Sequence, residues 1–217
     1  MALKIAPIRE TYKGFYGKDT EEMPLIKADG RIPMSTSQLM QRRLELVNGP
    51  AGPRDFYTST PLSTGDAIAY HPSGRVKIIL NSKNIMDMTP EAPRIGGDLL
   101  IIEDVYHSLE AQEFRIKDLG KINERLSRDE AKNSLVWKIL SRDQSLLEEY
   151  VDYVFSTVEK RFGYQSAMGV HLDSPSARPK IREWTIFGLG SRSGIYGRIV
   201  FGYDRFIGIS AENSGKP

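Results

Sequence analysis

Three histidines and no cysteine narrow the chemistry open to this 217-residue chain before any fold is considered. Thiolate nucleophiles, disulfides and cysteine-ligated metals are excluded. His107 follows Glu103 and Asp104. His171-Leu172-Asp173 places an imidazole and a carboxylate on one face of a strand, because strand side chains alternate with period 2. Glu103, Asp104, His107, His171 and Asp173 are therefore the candidate catalytic set. Imidazole and carboxylate together suit zinc, iron or manganese, so a site drawn from Glu103, His107, His171 and Asp173 would support metal-assisted hydrolysis. His71 lies at a turn, five residues after Asp66. No H-x-x-x-H, H-E-x-x-H or repeated D-x-D spacing occurs, and a lone histidine is more often a structural hydrogen-bonding residue. The sequence assigns no metal and no cofactor.

Other residue types point to binding rather than turnover. Arg192, Arg198 and Arg205 interleave with Tyr196, Phe201, Tyr203 and Phe206. Aromatic rings on a sheet can stack bases while arginines hold phosphates, so Arg192, Tyr196, Arg198, Tyr203 and Arg205 form a candidate nucleic-acid surface. The competing reading is an ordinary sheet core with solvated arginines. The stretch Gly188–Gly197 is rich in glycine, but its G-x-G-x-x-x-G spacing fits neither the dinucleotide fingerprint nor the Walker pattern. It also precedes an expected strand, whereas phosphate cradling requires a helix N-terminus. No serine lies in a G-x-S-x-G elbow. Glu103-Asp104 can equally solvate the end of the apolar run Leu99–Ile102.

Composition is that of a globular protein, with 40% hydrophobic and 27% charged residues. The net charge of +2 is too small to imply a polyanion partner by itself. Residues 163–217 hold most of the imbalance, with 7 basic and 4 acidic side chains. No apolar run reaches membrane-spanning length, and the N-terminus lacks the apolar core of a signal peptide. Absence of cysteine fits a reducing compartment, so a soluble, cytoplasmic protein is expected.

The elements that must position these residues centre on 127–162. Ser127-Arg128-Asp129-Glu130 is a capping box, followed by Ala131, Leu135, Val136, Ile139 and Leu140 at helical steps. Ser141-Arg142-Asp143-Gln144 reads as a second box. Leu147, Val151, Val154, Val158 and Phe162 then form one stripe, and Gly163 stands where a left-handed cap is expected. These predict helices over about 128–140 and 144–162. Ser35-Thr36-Ser37-Gln38 opens a third helix over about 36–47, on which the doublet Arg42-Arg43 is expected to be solvated. Ala67–Leu80 reads as a hairpin turning at His71-Pro72-Ser73-Gly74. The run Leu99–Ile102 reads as a central strand covered on both faces, and a short helix is expected near 121–126. Gly49–Pro53 reads as a rigid loop. Further strands are expected over 168–172, 180–188, 198–203 and 206–210.

The expected fold is α+β, a mostly antiparallel sheet with the two consecutive helices on one face. Residues 1–34 are expected to be an irregular arm, 35–210 a single domain and 211–217 a disordered tail. Two functional classes follow. The first is a non-enzymatic binding or assembly protein: one that recognises a protein partner, a second copy or nucleic acid, or a viral or particle component. The second is a small metal-dependent hydrolase or nuclease using the carboxylates and histidines.

Overall fold

The computed structural model describes residues 11–190, 193–197 and 204–210. The N-terminal segment forms β1 (Tyr12–Gly17), α1 (Asp19–Ala28) and β2 (Arg31–Pro33), followed by α2 (Thr36–Glu45) and α3 (Ala51–Ser59). The middle holds β3 (Leu62–Tyr70), β4 (Arg75–Ile79), α4 (Lys83–Met86), β5 (Arg94–Ile95), β6 (Asp98–Leu100), α5 (Glu103–Ser108) and β7 (Glu113–Arg115). Then come α6 (Arg128–Asn133), α7 (Leu135–Ser141), α8 (Gln144–Phe162), β8 (Gly169–Leu172), β9 (Lys180–Ile186), β10 (Gly194–Gly197) and β11 (Asp204–Ser210).

The fold is α+β. The strands join in one mostly antiparallel sheet whose main path runs β1-β11-β3-β9-β10-β8. Among the described residues, only β10 with β8 and β11 with β3 pair in parallel. Each central strand sends alternate side chains to opposite faces. Ile68, Tyr70, Trp184 and Ile186 meet α2, α7 and α8 in one apolar core. Ala67, Ala69 and Ile181 meet Met23, Ile26, Ile85 and Tyr106 in a second core on the other face. Every residue of β3 and β9 is consequently buried.

On α8, Leu147, Tyr150, Val151, Val154, Phe155 and Val158 are buried at three- and four-residue steps, and Gly163 caps the helix at φ 69°. Both expected boxes at Ser35 and Ser127 form with their reciprocal bonds. The third does not. Arg142 adopts φ 62°, which turns the chain between α7 and α8, and Asp143 caps α8 by accepting from Leu146 N–H at 2.8 Å.

Four expectations are corrected. Residues 12–33 are a strand, a helix and a strand, because β11 supplies partners to both β1 and β2 that no local pattern reveals. The Pro50 region opens α3 instead of remaining a loop. The apolar run 99–102 is not a central strand: β6 ends at Leu100, and Ile102 is exposed where α5 begins. Residues 121–126 form no helix; Leu126 makes an isolated bridge to Ala167 instead. The expected strand over 198–203 and the tail 211–217 lie outside the described residues.

Arg43 also departs from expectation. It is fully buried and donates to Tyr57 O at 2.9 Å, Tyr150 Oη at 2.7 Å and Phe187 O at 3.0 Å. Its guanidinium fork thereby joins α2, α3, α8 and the end of β9. Arg42 instead lies over the rings of Tyr12 and Tyr57. Gly188 is required nearby, since a Cβ there would come within 2.7 Å of the Ser59 backbone. That close approach accounts for a glycine that phosphate binding does not need.

Candidate functional site

The β3–β4 hairpin ends in a turn at residues 71–74, closed by Gly74 N–H donating to His71 O at 3.0 Å. This turn and α5 face each other. Lys77, on β4, reaches the C-terminus of α5 and donates to the carbonyls of Tyr106, His107 and Leu109 at 3.0, 3.3 and 2.9 Å. A cation at that end satisfies carbonyls that have no partner within the helix. With α5 so held, Glu103 and His107 occupy one face at i,i+4 spacing, and both reach toward His71.

Glu103 Oε1 contacts Nε2 of His71 and lies 3.2 Å from Nε2 of His107. The hydrogen bond from His71, with that from His107 behind it, holds the Glu103 carboxyl below its ordinary range. The other ring nitrogen of His71, Nδ1, lies 2.6 Å from Ser73 Oγ and 3.1 Å from the Ser73 N–H. His71 is nearly buried and its ring packs against Tyr106 at 4.8 Å, while Glu103 and His107 are half exposed. The three residues offer ligand atoms within 4.8 Å of one another.

Ser73, His71 and Glu103 are also in the order of a serine–histidine–carboxylate relay. The turn lacks the donors such a relay needs. Ser73 N–H is directed at His71 and Gly74 N–H at His71 O, so neither is available to a developing oxyanion. Arg75 Nε further engages Ser73 Oγ at 2.8 Å.

The remaining sequence candidates do not converge here. Asp104 is exposed in the first turn of α5. Asp173 accepts from Lys180 Nζ at 2.7 Å, and the same amine binds Asp98 at 2.7 Å. His171 stacks on Tyr196 across the β8–β10 pair at 4.2 Å between ring centroids. Tyr196 is buried, with Phe187 at 4.2 Å as well, so this ring is no platform for a base. Arg205 is exposed and stands over the ring of its cross-strand neighbour Tyr16 at 4.7 Å. Arg192, Arg198 and Tyr203 lie outside the described residues.

A second cluster gave no sequence signal, because its members are far apart in the chain. Asp19, Glu183 and Asp204 bring carboxylate oxygens within 4.8 Å of one another beneath the sheet. Asp19 pairs with Arg94, and Arg182 donates to Asp98 at 3.1 Å. Asp19 Oδ2 and Glu183 Oε2 are buried without a hydrogen-bond partner among the described residues. Burial pushes Asp19 up to about 6, against the pull of Arg94. It drives Glu183 well above its ordinary range, and Asp204 adds to that rise. Acids raised in this way favour the folded state below their unfolded pKa, and the benefit is lost as pH climbs through the folded value. For Asp19 that window runs from about 4 to about 6. Glu183→Gln, which cannot ionise, should therefore lose less stability than wild type between pH 5 and pH 8 and stand above it at pH 8. Urea unfolding at the two pH values checks this; a variant weaker than wild type at pH 8 would contradict it.

No family model matches the chain, and no curated protein matches it in sequence. Among solved structures it is similar to one described as the accommodation of massive sequence variation in Nanoarchaeota by the C-type lectin fold. The TM-score is 0.71 at 15% identity, covering 93% of this chain and 99% of that one. The likeness is one of fold. Among the described residues, no helix is long and apolar enough to cross a membrane.

Proposed function

We propose that the chain is a non-enzymatic binding protein that recognises a protein partner through the sheet end formed by β1 and β11. The observation that carries this reading is the pair Tyr16–Arg205. Tyr16 is 60% exposed, Arg205 lies over its ring, and both belong to strands whose registration is fixed along six residue pairs. Tyrosine and arginine dominate binding hot spots because each offers a large, stiff contact surface with a polar tip. β1 is the terminal strand of the sheet among the described residues, so the exposed Tyr16 ring stands at the margin of the sheet. The neighbour in fold is reported to accommodate massive sequence variation. A scaffold of that kind suits recognition, because surface residues can change while the two cores are kept.

The hydrolytic reading has one observation in its favour, the meeting of His71, Glu103 and His107. It lacks the convergence of His171 and Asp173 with that group.

The variant Tyr16→Ala with Arg205→Glu should keep its unfolding free energy within about 1 kcal/mol of wild type. It should lose partner capture from native extract by at least about tenfold, since hot-spot truncation costs about 2 kcal/mol or more. Capture that survives the double change unaltered would place recognition elsewhere. Light scattering on the wild type distinguishes a second copy from a different partner.

A further inference from the structure

We infer that His71, Glu103 and His107 bind one divalent transition-metal ion of the zinc class, which ties the β3–β4 turn to α5. Around zinc, nitrogen and carboxylate oxygen ligands lie at about 2.0–2.2 Å, which separates them from one another by roughly 3.3–3.5 Å in a tetrahedron. His107 Nε2 and Glu103 Oε1 already stand 3.2 Å apart, and His71 Nε2 touches the same oxygen. A small opening of the His71–Glu103 contact admits the ion. Two imidazoles favour zinc, copper or nickel over calcium or magnesium, which prefer oxygen cages.

Both sides of the site are supported from behind. Lys77 fixes the end of α5 that carries His107. Ser73 fixes the ring of His71, and its role changes with the ion. In the metal-free neutral ring, Nε2–H donates to Glu103 and Nδ1 accepts from the Ser73 N–H. A metal at Nε2 requires the proton at Nδ1, and Ser73 Oγ at 2.6 Å is the acceptor that receives it. Arg75 approaches only the Nδ1 side, at 3.4 Å, so its charge does not face the ion. Half-exposed Glu103 and His107 leave the fourth coordination position to solvent.

The ion is required by the hydrolytic reading and not by partner binding, so this inference stands or falls separately from the Tyr16–Arg205 surface. Its test is calorimetric titration of tag-free, chelator-treated protein with zinc chloride at pH 7.5, with cobalt as a spectroscopic substitute. The expected result is one equivalent bound, tetrahedral cobalt absorption, and no displacement by calcium or magnesium. His107→Ala should weaken zinc at least about a hundredfold, and Ser73→Ala about 10–100-fold, the usual effect of removing a ligand's supporting hydrogen bond. Asp104→Asn, next in sequence to Glu103 and exposed, should change nothing. Absence of zinc binding, equal affinity in His107→Ala, or displacement by calcium would overturn the assignment.

Discussion

Val154→Asp is expected to yield no soluble folded protein. Val154 lies in the middle of the α8 stripe and is only 1% exposed. It belongs to the core that α8 forms with α2, α7 and the sheet residues Ile68, Trp184 and Ile186. Loss of the valine contacts alone would be tolerable, on the order of 1–3 kcal/mol. A carboxylate at the same place is taken out of water into a core of apolar side chains, and burying a charge there costs several kcal/mol more. The total exceeds about 5 kcal/mol, the lower end of ordinary domain stability. Ser156→Asp, on the exposed side of the same helix, is the control and should fall within about 0.5 kcal/mol of wild type. Soluble expression with circular dichroism reads both. A folded, stable Val154→Asp protein would mean that α8 is not packed against the sheet.

Asp66→Ala should cost about 3–5 kcal/mol, the range for removing one partner of a buried charged network. β3 changes register between Ser63 and Ala67, and this irregularity carries Asp66. Its carboxylate is fully buried and accepts from Thr36 N–H at 2.7 Å, Asn81 N–H at 2.9 Å and Arg142 at 2.7 Å. The first bond holds the N-terminus of α2. The other two hold residues in the left-handed region, Asn81 at φ 50° and Arg142 at φ 62°. That conformation costs a residue such as Arg142 about 1–2 kcal/mol and an asparagine less, and Asp66 anchors both. One carboxylate thus joins the hairpin, α2 and the α7–α8 turn. Asp66→Asn keeps an acceptor oxygen and should lose less. Urea denaturation midpoints decide; a loss under about 1 kcal/mol in Asp66→Ala would show the network to be incidental.

What could be read in the sequence was what repeats locally. The α8 stripe, the Ser35 and Ser127 boxes and the β3–β4 hairpin each declare themselves within a short stretch of contiguous chain. Arg43 could not be read that way. Its burial depends on carbonyls at Tyr57 and Phe187, 14 and 144 residues away. Strand β1 contains two glycines and becomes a strand only by pairing with β11, at the far end of the chain. The cluster of His71, Glu103 and His107 is half legible. Glu103 and His107 were singled out by type, but Leu99–Ile102 read as a strand running on toward them. In a strand the two side chains would not share a helix face, so the i,i+4 pairing was hidden. His71 enters only through the hairpin turn. Asp19, Glu183 and Asp204 meet through three different elements and leave no trace in spacing.

The most direct test of the proposed recognition surface is a photo-crosslinking amino acid placed at position 16, with a second protein carrying it at Phe162, which is exposed at the end of α8. On irradiation in native extract, position 16 should form a discrete adduct that Arg205→Glu abolishes, while position 162 forms none. An adduct at 162 with none at 16, or one at 16 indifferent to Arg205, would contradict a binding surface at the β1–β11 end of the sheet.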